Sequence, residues 1–269
     1  MVVRRVARLV LVALCAYVLI ALFAFFIAER VIFQPPRPSY SRATLPVTHV
    51  AVARAESVAV LHLPLAGARY TILYSHGNAE DLGHVAPLLE GLRDLGFAVI
   101  GYDYRGYGLS APGRPTVRKA VEDAEAVYRH AVDDLRIPPD RIILYGSSVG
   151  SGPSFELAVA HDPAGMILQG AFTSTYRVVT RVALFPFDRF RNLTRLRDVR
   201  CPMLVIHGTR DFVVPASHGR RLFAAAAVPK QALWVEDAGH NDLVHVAGRR
   251  YAEALGTFVE LIEQNAIAK

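Results

Sequence analysis

The sequence predicts an α/β fold, a mostly parallel central sheet covered by helices on both faces and preceded by an apolar N-terminal helix. Three observations carry this prediction. Short apolar runs without strict alternation recur along the chain, as expected of strands buried on both faces. Helical stretches separate them, which calls for right-handed crossovers between parallel strands. With 269 residues at 52% hydrophobic content, the chain can bury one substantial core.

Residues 9–28 carry no charge over 20 positions, enough to cross a hydrocarbon layer of about 30 Å as a helix. Arg4, Arg5 and Arg8 precede the run, and Glu29 and Arg30 close it. Its length exceeds the apolar region of a cleavable signal, and Phe25-Phe26-Ile27-Ala28 is a poor cleavage site. A retained single-pass anchor over residues 1–33 is therefore expected. The three arginines before the span favour a cytoplasmic N-terminus, and Arg30, Arg37 and Arg42 after it leave only a slight bias towards a catalytic domain on the non-cytoplasmic face. Residues 34–47, opening Gln34-Pro35-Pro36-Arg37-Pro38, read as a stiff linker that lifts a domain of residues 48–269 off the membrane.

Within the domain, strands are expected at 58–63, 71–75, 97–102, 141–145, 166–169, 203–207 and 232–235. Helices are expected at 82–95, stopped by Gly96, at 117–135, capped by Thr116, at 149–160, and at 242–264. Residues 173–200 break the rhythm and read as a small lid over the carboxyl ends of the strands.

Gly146-Ser147-Ser148-Val149-Gly150 follows a strand directly and opens a helix. Gly-x-Ser-x-Gly in that context is a nucleophile elbow, a strained turn that thrusts the Ser148 hydroxyl out of the sheet. A serine needs a base to react at neutral pH. Of ten histidines, His240 sits in the glycine-led loop after the last strand. Asp211, in the loop after strand 203–207, suits the carboxylate that orients the imidazole. Asp237 and Asp242 are rivals only by closeness in sequence. The backbone N–H groups of Val149 and of Asn78, in Ser75-His76-Gly77-Asn78, are the expected oxyanion donors. His76 is read as a brace for that loop, not as a metal ligand.

These residues carry a family likeness. Ser75-His76-Gly77-Asn78-Ala79-Glu80-Asp81, Tyr102-Asp103-Tyr104-Arg105-Gly106-Tyr107-Gly108, Ile143-Leu144-Tyr145-Gly146-Ser147-Ser148-Val149-Gly150, Ile206-His207-Gly208-Thr209-Arg210-Asp211 and Gly239-His240-Asn241-Asp242 run in order over almost the whole domain. The chain resembles membrane-associated serine hydrolases of the α/β-hydrolase fold, in the branch that includes protein depalmitoylases (acyl-protein thioesterases). The resemblance implies a Ser148–Asp211–His240 triad, an Asn78/Val149 oxyanion site and hydrolysis of esters or thioesters at a membrane, without a cofactor or metal. It departs from that branch in two places. A plain apolar span with Cys15 stands where the branch has a cysteine-rich lipidated segment, and Ser147 stands where it tends to have glutamine.

Two other functions remain open at this stage. One is a peptidase of the proline-aminopeptidase type, against which stands the lack of a sizeable acidic cap. The other is an inactive membrane-anchored scaffold. The net charge of +6 permits anionic partners. Without zinc-ligand spacing, an RNP-like motif or a basic helical stripe, nucleic acid is not an expected partner. Cys15 and Cys201 imply no disulfide framework. In the lid, seven arginines (177, 181, 189, 191, 195, 197, 200) interleave with Leu184-Phe185-Pro186-Phe187 and Phe190. That mixture fits an ordinary solvated surface whose phenylalanines pack inward, or else docking on anionic headgroups that delivers acyl chains to Ser148.

Overall fold

The computed structural model describes residues 2–53, 55–180, 184, 185 and 187–267. Their strands are β1 (Thr48–Ala53), β2 (Glu56–Leu63), β3 (Thr71–Ser75), β4 (Ala98–Tyr102), β5 (Ile142–Ser147), β6 (Gly165–Gln169), β7 (Met203–Gly208) and β8 (Lys230–Val235). They form one sheet in the order β1-β2-β4-β3-β5-β6-β7-β8. The hairpin β1–β2 and the β2–β4 pairing are antiparallel, and every pairing from β4 to β8 is parallel. β1 is not among the strands expected from sequence. It is an edge strand whose side chains mostly face solvent, with Val50 buried and Val52 packed against the core.

Period-two alternation in the buried strands feeds two separate cores. Ile142 and Leu144 of β5 point to one face, with Ile100, Met166 and Val205; Ile143 and Tyr145 point to the other, with Val99, Ile167 and Ile206. The first face is covered by α3 (Val117–Arg129), α4 (Ser151–Ala160) and α7 (Ser217–Ala225), the second by α2 (Leu82–Asp94) and α9 (Arg249–Ile267). Thr116 caps α3 as expected, its side chain accepting the Lys119 N–H. Beyond Arg129 the helix relaxes into a π-type turn, His130–Asp134. The single closing helix expected at 242–264 is two, α8 (Leu243–Ala247) and α9. Gly248, at φ 52°, adopts the left-handed conformation that breaks them apart.

The N-terminal helix α1 (Val2–Ile32) is long and apolar enough to cross a membrane. Most of it is exposed, and only its last turns, at Ala28 and Ile32, enter the core. The segment after it is not the free spacer expected from its prolines. It lies along the domain as a strap. Gln34 N–H donates to Asn78 Oδ1 at 2.7 Å, and Ser39 N–H to Asp81 Oδ2 at 2.7 Å. The buried Tyr40 hydroxyl donates to the Asp103 carboxylate. Proline fixes an extended backbone, and here the N–H groups that flank the prolines, those of Gln34 and Ser39, meet amide and carboxylate oxygens.

Residues 173–200 also differ from expectation. They contain α5 (Thr175–Thr180) and α6 (Asn192–Arg195) and clasp α1: Tyr176 Oη donates to Ala24 O at 2.9 Å, and the Phe25 and Phe187 rings meet edge to face at 5.3 Å. Phe190 is buried over Gly152 of α4. The aromatic side chains find a ready-made apolar partner in α1, so they do not roof the sheet. Arg181 and Pro186 of this stretch lie outside the described residues.

Asp103 is fully buried, accepts the Leu82 N–H at 2.8 Å as well as the Tyr40 hydroxyl, and is pushed by burial to about 7. Its folded pKa lies above the unfolded value, so it favours the fold while protonated and loses that contribution as pH rises from about 3.8 to about 7. In detergent-solubilised protein, the melting temperature of the wild type relative to Asp103→Asn should fall as pH rises through this interval; a difference independent of pH would contradict the assignment.

Candidate active site

The elbow is built from sterics. Ser148 has φ 50°, a left-handed conformation that costs a non-glycine residue and persists only where the surroundings enforce it. A Cβ on Gly146 would meet Ser151 Cα at 2.6 Å; one on Gly150 would meet Ser75 O at 2.0 Å. Glycine at both positions lets the turn press against β3. The short 3-10 turn Ser148–Gly150 then leads into α4, with Val149 N–H at its start.

Three loops at the carboxyl end of the sheet converge on Ser148. His240 follows β8 and Asp211 follows β7. His240 Nδ1 lies 2.6 Å from Asp211 Oδ2, and Nε2 lies 2.9 Å from Ser148 Oγ. A carboxylate can only accept, so Nδ1 carries the proton and Nε2 is left to accept from the serine hydroxyl. Asp211 Oδ1 accepts the N–H groups of Val213 at 2.9 Å and Val214 at 2.7 Å. Burial alone would raise its pKa, but hydrogen bonds from His207 and His240, the His240 charge and the Val214 N–H hold it well below the ordinary carboxylate range. The carboxylate is therefore charged throughout the neutral range. The rival acids are elsewhere: Asp237 pairs with Arg210 at 2.9 Å, and Asp242 accepts the Gly239 N–H at 2.7 Å.

The loop after β3 lies beside the elbow. A Cβ on Gly77 would stand 3.6 Å from Ser148 Cβ and 2.8 Å from Glu80 Oε2, so glycine serves close approach there. The tight turn of this loop falls at Ala79, at φ 56°. Gly77 N–H is taken by Glu80 Oε2 at 2.9 Å. Asn78 N–H enters no backbone hydrogen bond among the described residues. Asn78 Oδ1 accepts from Gln34 N–H and, at 3.0 Å, from the Tyr107 hydroxyl. His76 is a brace, as its sequence context suggests. It is fully buried, its Nδ1–H donates to Gly77 O at 2.7 Å, and its ring packs on Tyr104 at 4.5 Å. Burial depresses it to about 4, which keeps it neutral.

Ser148 and His240 open into a cavity of about 610 Å³ lined also by Asn78, Glu80, Leu88, Gln169, Val213 and Val244. None of the described residues of 173–200 lines it. Glu80 and Gln169 were not singled out from sequence, since nothing local marks a loop carboxylate or a strand-end amide as facing a distant serine. The half-exposed Val213 lines the cavity next to Asp211, and Phe212, 90% exposed, lies between them in the chain. A larger cleft of about 1040 Å³, between β1 and α3, is lined by charged groups such as Arg118, Glu122 and Arg129 and contains none of these residues.

A doubly flanked elbow serine, a carboxyl-end histidine and a buried aspartate on this sheet define an α/β-hydrolase. Comparisons with known proteins agree. A family model described as serine aminopeptidase, S33, matches residues 66–192. An esterase from Pyrococcus furiosus shares the fold at a TM-score of 0.68 and 19% identity, over 84% of this chain and 98% of that one. Human alpha/beta hydrolase domain-containing protein 17B is 40% identical over 195 residues, 71% of this chain and 67% of that protein. The Caenorhabditis elegans alpha/beta hydrolase domain-containing protein aho-3 is 34% identical over 273 residues, 91% of this chain and 81% of that protein. The chain belongs to the alpha/beta hydrolase domain-containing protein 17 family, and it is a hydrolase.

Two glycines separate steric need from helix propensity. Gly150→Ala should cost about 4 kcal/mol or more, because backbone oxygen cannot move aside. Gly91→Ala, in α2 with open space around it, should gain about 1 kcal/mol. Thermal melts of the two variants check both signs; equal effects would show that the elbow is not held by backbone contact.

Proposed function

We propose that the protein is a membrane-anchored serine esterase or thioesterase that cleaves acyl substrates through an acyl-enzyme. The observation that carries this reading is the unbroken hydrogen-bonded chain from Asp211 through His240 to Ser148, at 2.6 and 2.9 Å. His240 Nε2 takes the Ser148 proton as Oγ attacks the carbonyl carbon. Asp211 steadies the resulting imidazolium and keeps its ring aligned. The developing oxyanion is received by the N–H groups of Val149 and Asn78. His240 then returns its proton to the leaving alkoxide or thiolate, and water repeats the sequence to release the acid. None of these steps calls on a metal or organic cofactor.

The acyl preference is supported by Val213, Leu88 and Val244 within the cavity and by the exposed Phe212 next to Val213 in the chain. The long apolar helix α1 supports a membrane setting. Peptide hydrolysis of the aminopeptidase kind needs a carboxylate free to hold a substrate amine. The acid lining the cavity, Glu80, is engaged by Gly77 N–H, and burial raises its pKa, so it serves that role poorly.

The test is a fluorophosphonate probe and a graded series of p-nitrophenyl esters and acyl-thioesters, applied to the full chain. Ser148→Ala should abolish labelling and lower kcat by roughly 10⁶-fold, and Asp211→Asn by roughly 10⁴-fold, with KM little changed. Labelling that persists in Ser148→Ala would mean another nucleophile. A wild type that never labels would favour the inactive scaffold. Phe212→Ala should raise KM for long acyl chains and leave short ones unaffected; equal effects along the series would remove Phe212 from substrate binding.

A further inference from the structure

The clasp between residues 173–200 and α1 reaches deep along the helix. Tyr17 Oη donates to Leu184 O at 2.9 Å, and the Tyr17 and Phe185 rings stack at 6.3 Å. Phe187 stacks on Phe185 at 5.4 Å and meets Phe25. Along a helix rising 1.5 Å per residue, Tyr17 is about 16 Å from Ala28 and about 12 Å from Leu9, the two ends of the uncharged run. Tyr17 is thus near the middle of the stretch that would fill the hydrocarbon layer, and whatever touches it there is at the same depth.

We propose that Leu184, Phe185 and Phe187 form a re-entrant finger immersed in the hydrocarbon of the leaflet next to the catalytic domain. The inference rests on α1 crossing the bilayer. Its chemistry suits that medium. In hydrocarbon an unpaired carbonyl or hydroxyl is costly, and the Tyr17–Leu184 bond satisfies one of each. The Tyr176 hydroxyl is likewise spent on Ala24 O. The half-exposed Leu184 side chain and an apolar crevice of about 350 Å³ lined by Leu22, Phe26 and Phe187 face outward, where acyl chains of lipid would pack. Charge returns where the depth argument requires it. Asp188 accepts the Tyr176 N–H at 2.9 Å, and the Arg189 guanidinium lies 4.9 Å from the centre of the Phe25 ring, three residues or about 4.5 Å inside the end of the run, from where its long side chain can reach towards the headgroups. The finger therefore goes further than the headgroup docking expected from composition. It also does not hand substrate directly to Ser148, since the described residues of the finger lie outside that cavity.

The test places single spin labels in the full chain, in a Cys15→Ala background that leaves only the buried Cys201. The protein is reconstituted in vesicles of phosphatidylcholine and phosphatidylglycerol. Labels go at Leu184, at Leu19 on the exposed face of α1 and at the exposed Asp94. Expected is a ratio of oxygen to nickel-chelate accessibility at Leu184 that matches Leu19 and exceeds Asp94 several-fold. In a second measurement, Leu184→Trp fluorescence should be quenched by lipids brominated at mid-chain while Trp234 is not. A Leu184 label that reads like Asp94, with Leu19 in lipid, overturns the finger and leaves the anchor intact. If Leu19 itself reads as aqueous, the spanning helix and the finger fall together.

Discussion

The parallel pairing of β3 with β5 is the constraint on which the site depends. Register sets Ser75 against Gly146, so both strands end at the same level and their loops emerge side by side. The elbow then has to turn against the β3 carbonyls, which is why Gly150 must come within contact of Ser75 O. That contact holds Ser148 in its left-handed conformation and sets it beside the Asn78 loop. β6, β7 and β8 continue the parallel order outward, and this delivers the acid and the imidazole to the same rim. Had any of these strands run antiparallel, its loop would have opened at the far end of the sheet.

Charge is managed by burial and pairing in the same region. Asp211 is held ionised by four donors, whereas Asp103, a few residues from the end of β4, is pushed towards neutrality and joins Leu82 to Tyr40. Arg105 is buried between Asp123, Glu56 and Glu122, so its cost of desolvation is offset by three carboxylates. The Tyr-Asp-Tyr-Arg-Gly-Tyr-Gly stretch of residues 102–108 is therefore a bracing segment. Tyr104 supports His76, Tyr107 holds Asn78, and Arg105 ties the β4 end to α3.

Much of this was legible in the sequence, for reasons that differ by element. The strands from β2 to β8 are apolar because both faces are covered, and the glycines of the elbow are fixed by collision, so local composition records them. The meeting of Asp211 and His240 with Ser148 was legible through chain order and the glycine-led loops that carry them. β1 was not: it is a short edge strand, and although Val50 and Val52 face the core, most of its side chains are exposed. The strap was not, because two of its contacts are backbone N–H groups reaching across some forty residues, which leave no trace in residue identity, and its Tyr40 hydroxyl finds Asp103 some sixty residues away. The division of labour in the loop after β3 was also hidden: Gly77 gives clearance and Ala79 makes the turn, although composition favours glycine for both. The partnership between the lid region and α1 spans more than 150 positions and follows no periodicity.

The strap has a consequence for how such a protein can diversify. Gln34 presents its N–H to the same oxygen of Asn78 that Tyr107 holds, and Ser39 and Tyr40 secure the residues just beyond. The peptide after α1 is thus part of the framework of the candidate site and not a detachable handle. The apolar helix could be exchanged for another segment only upstream of position 34, because a change further in would remove the support of Asn78, which lines the cavity at Ser148.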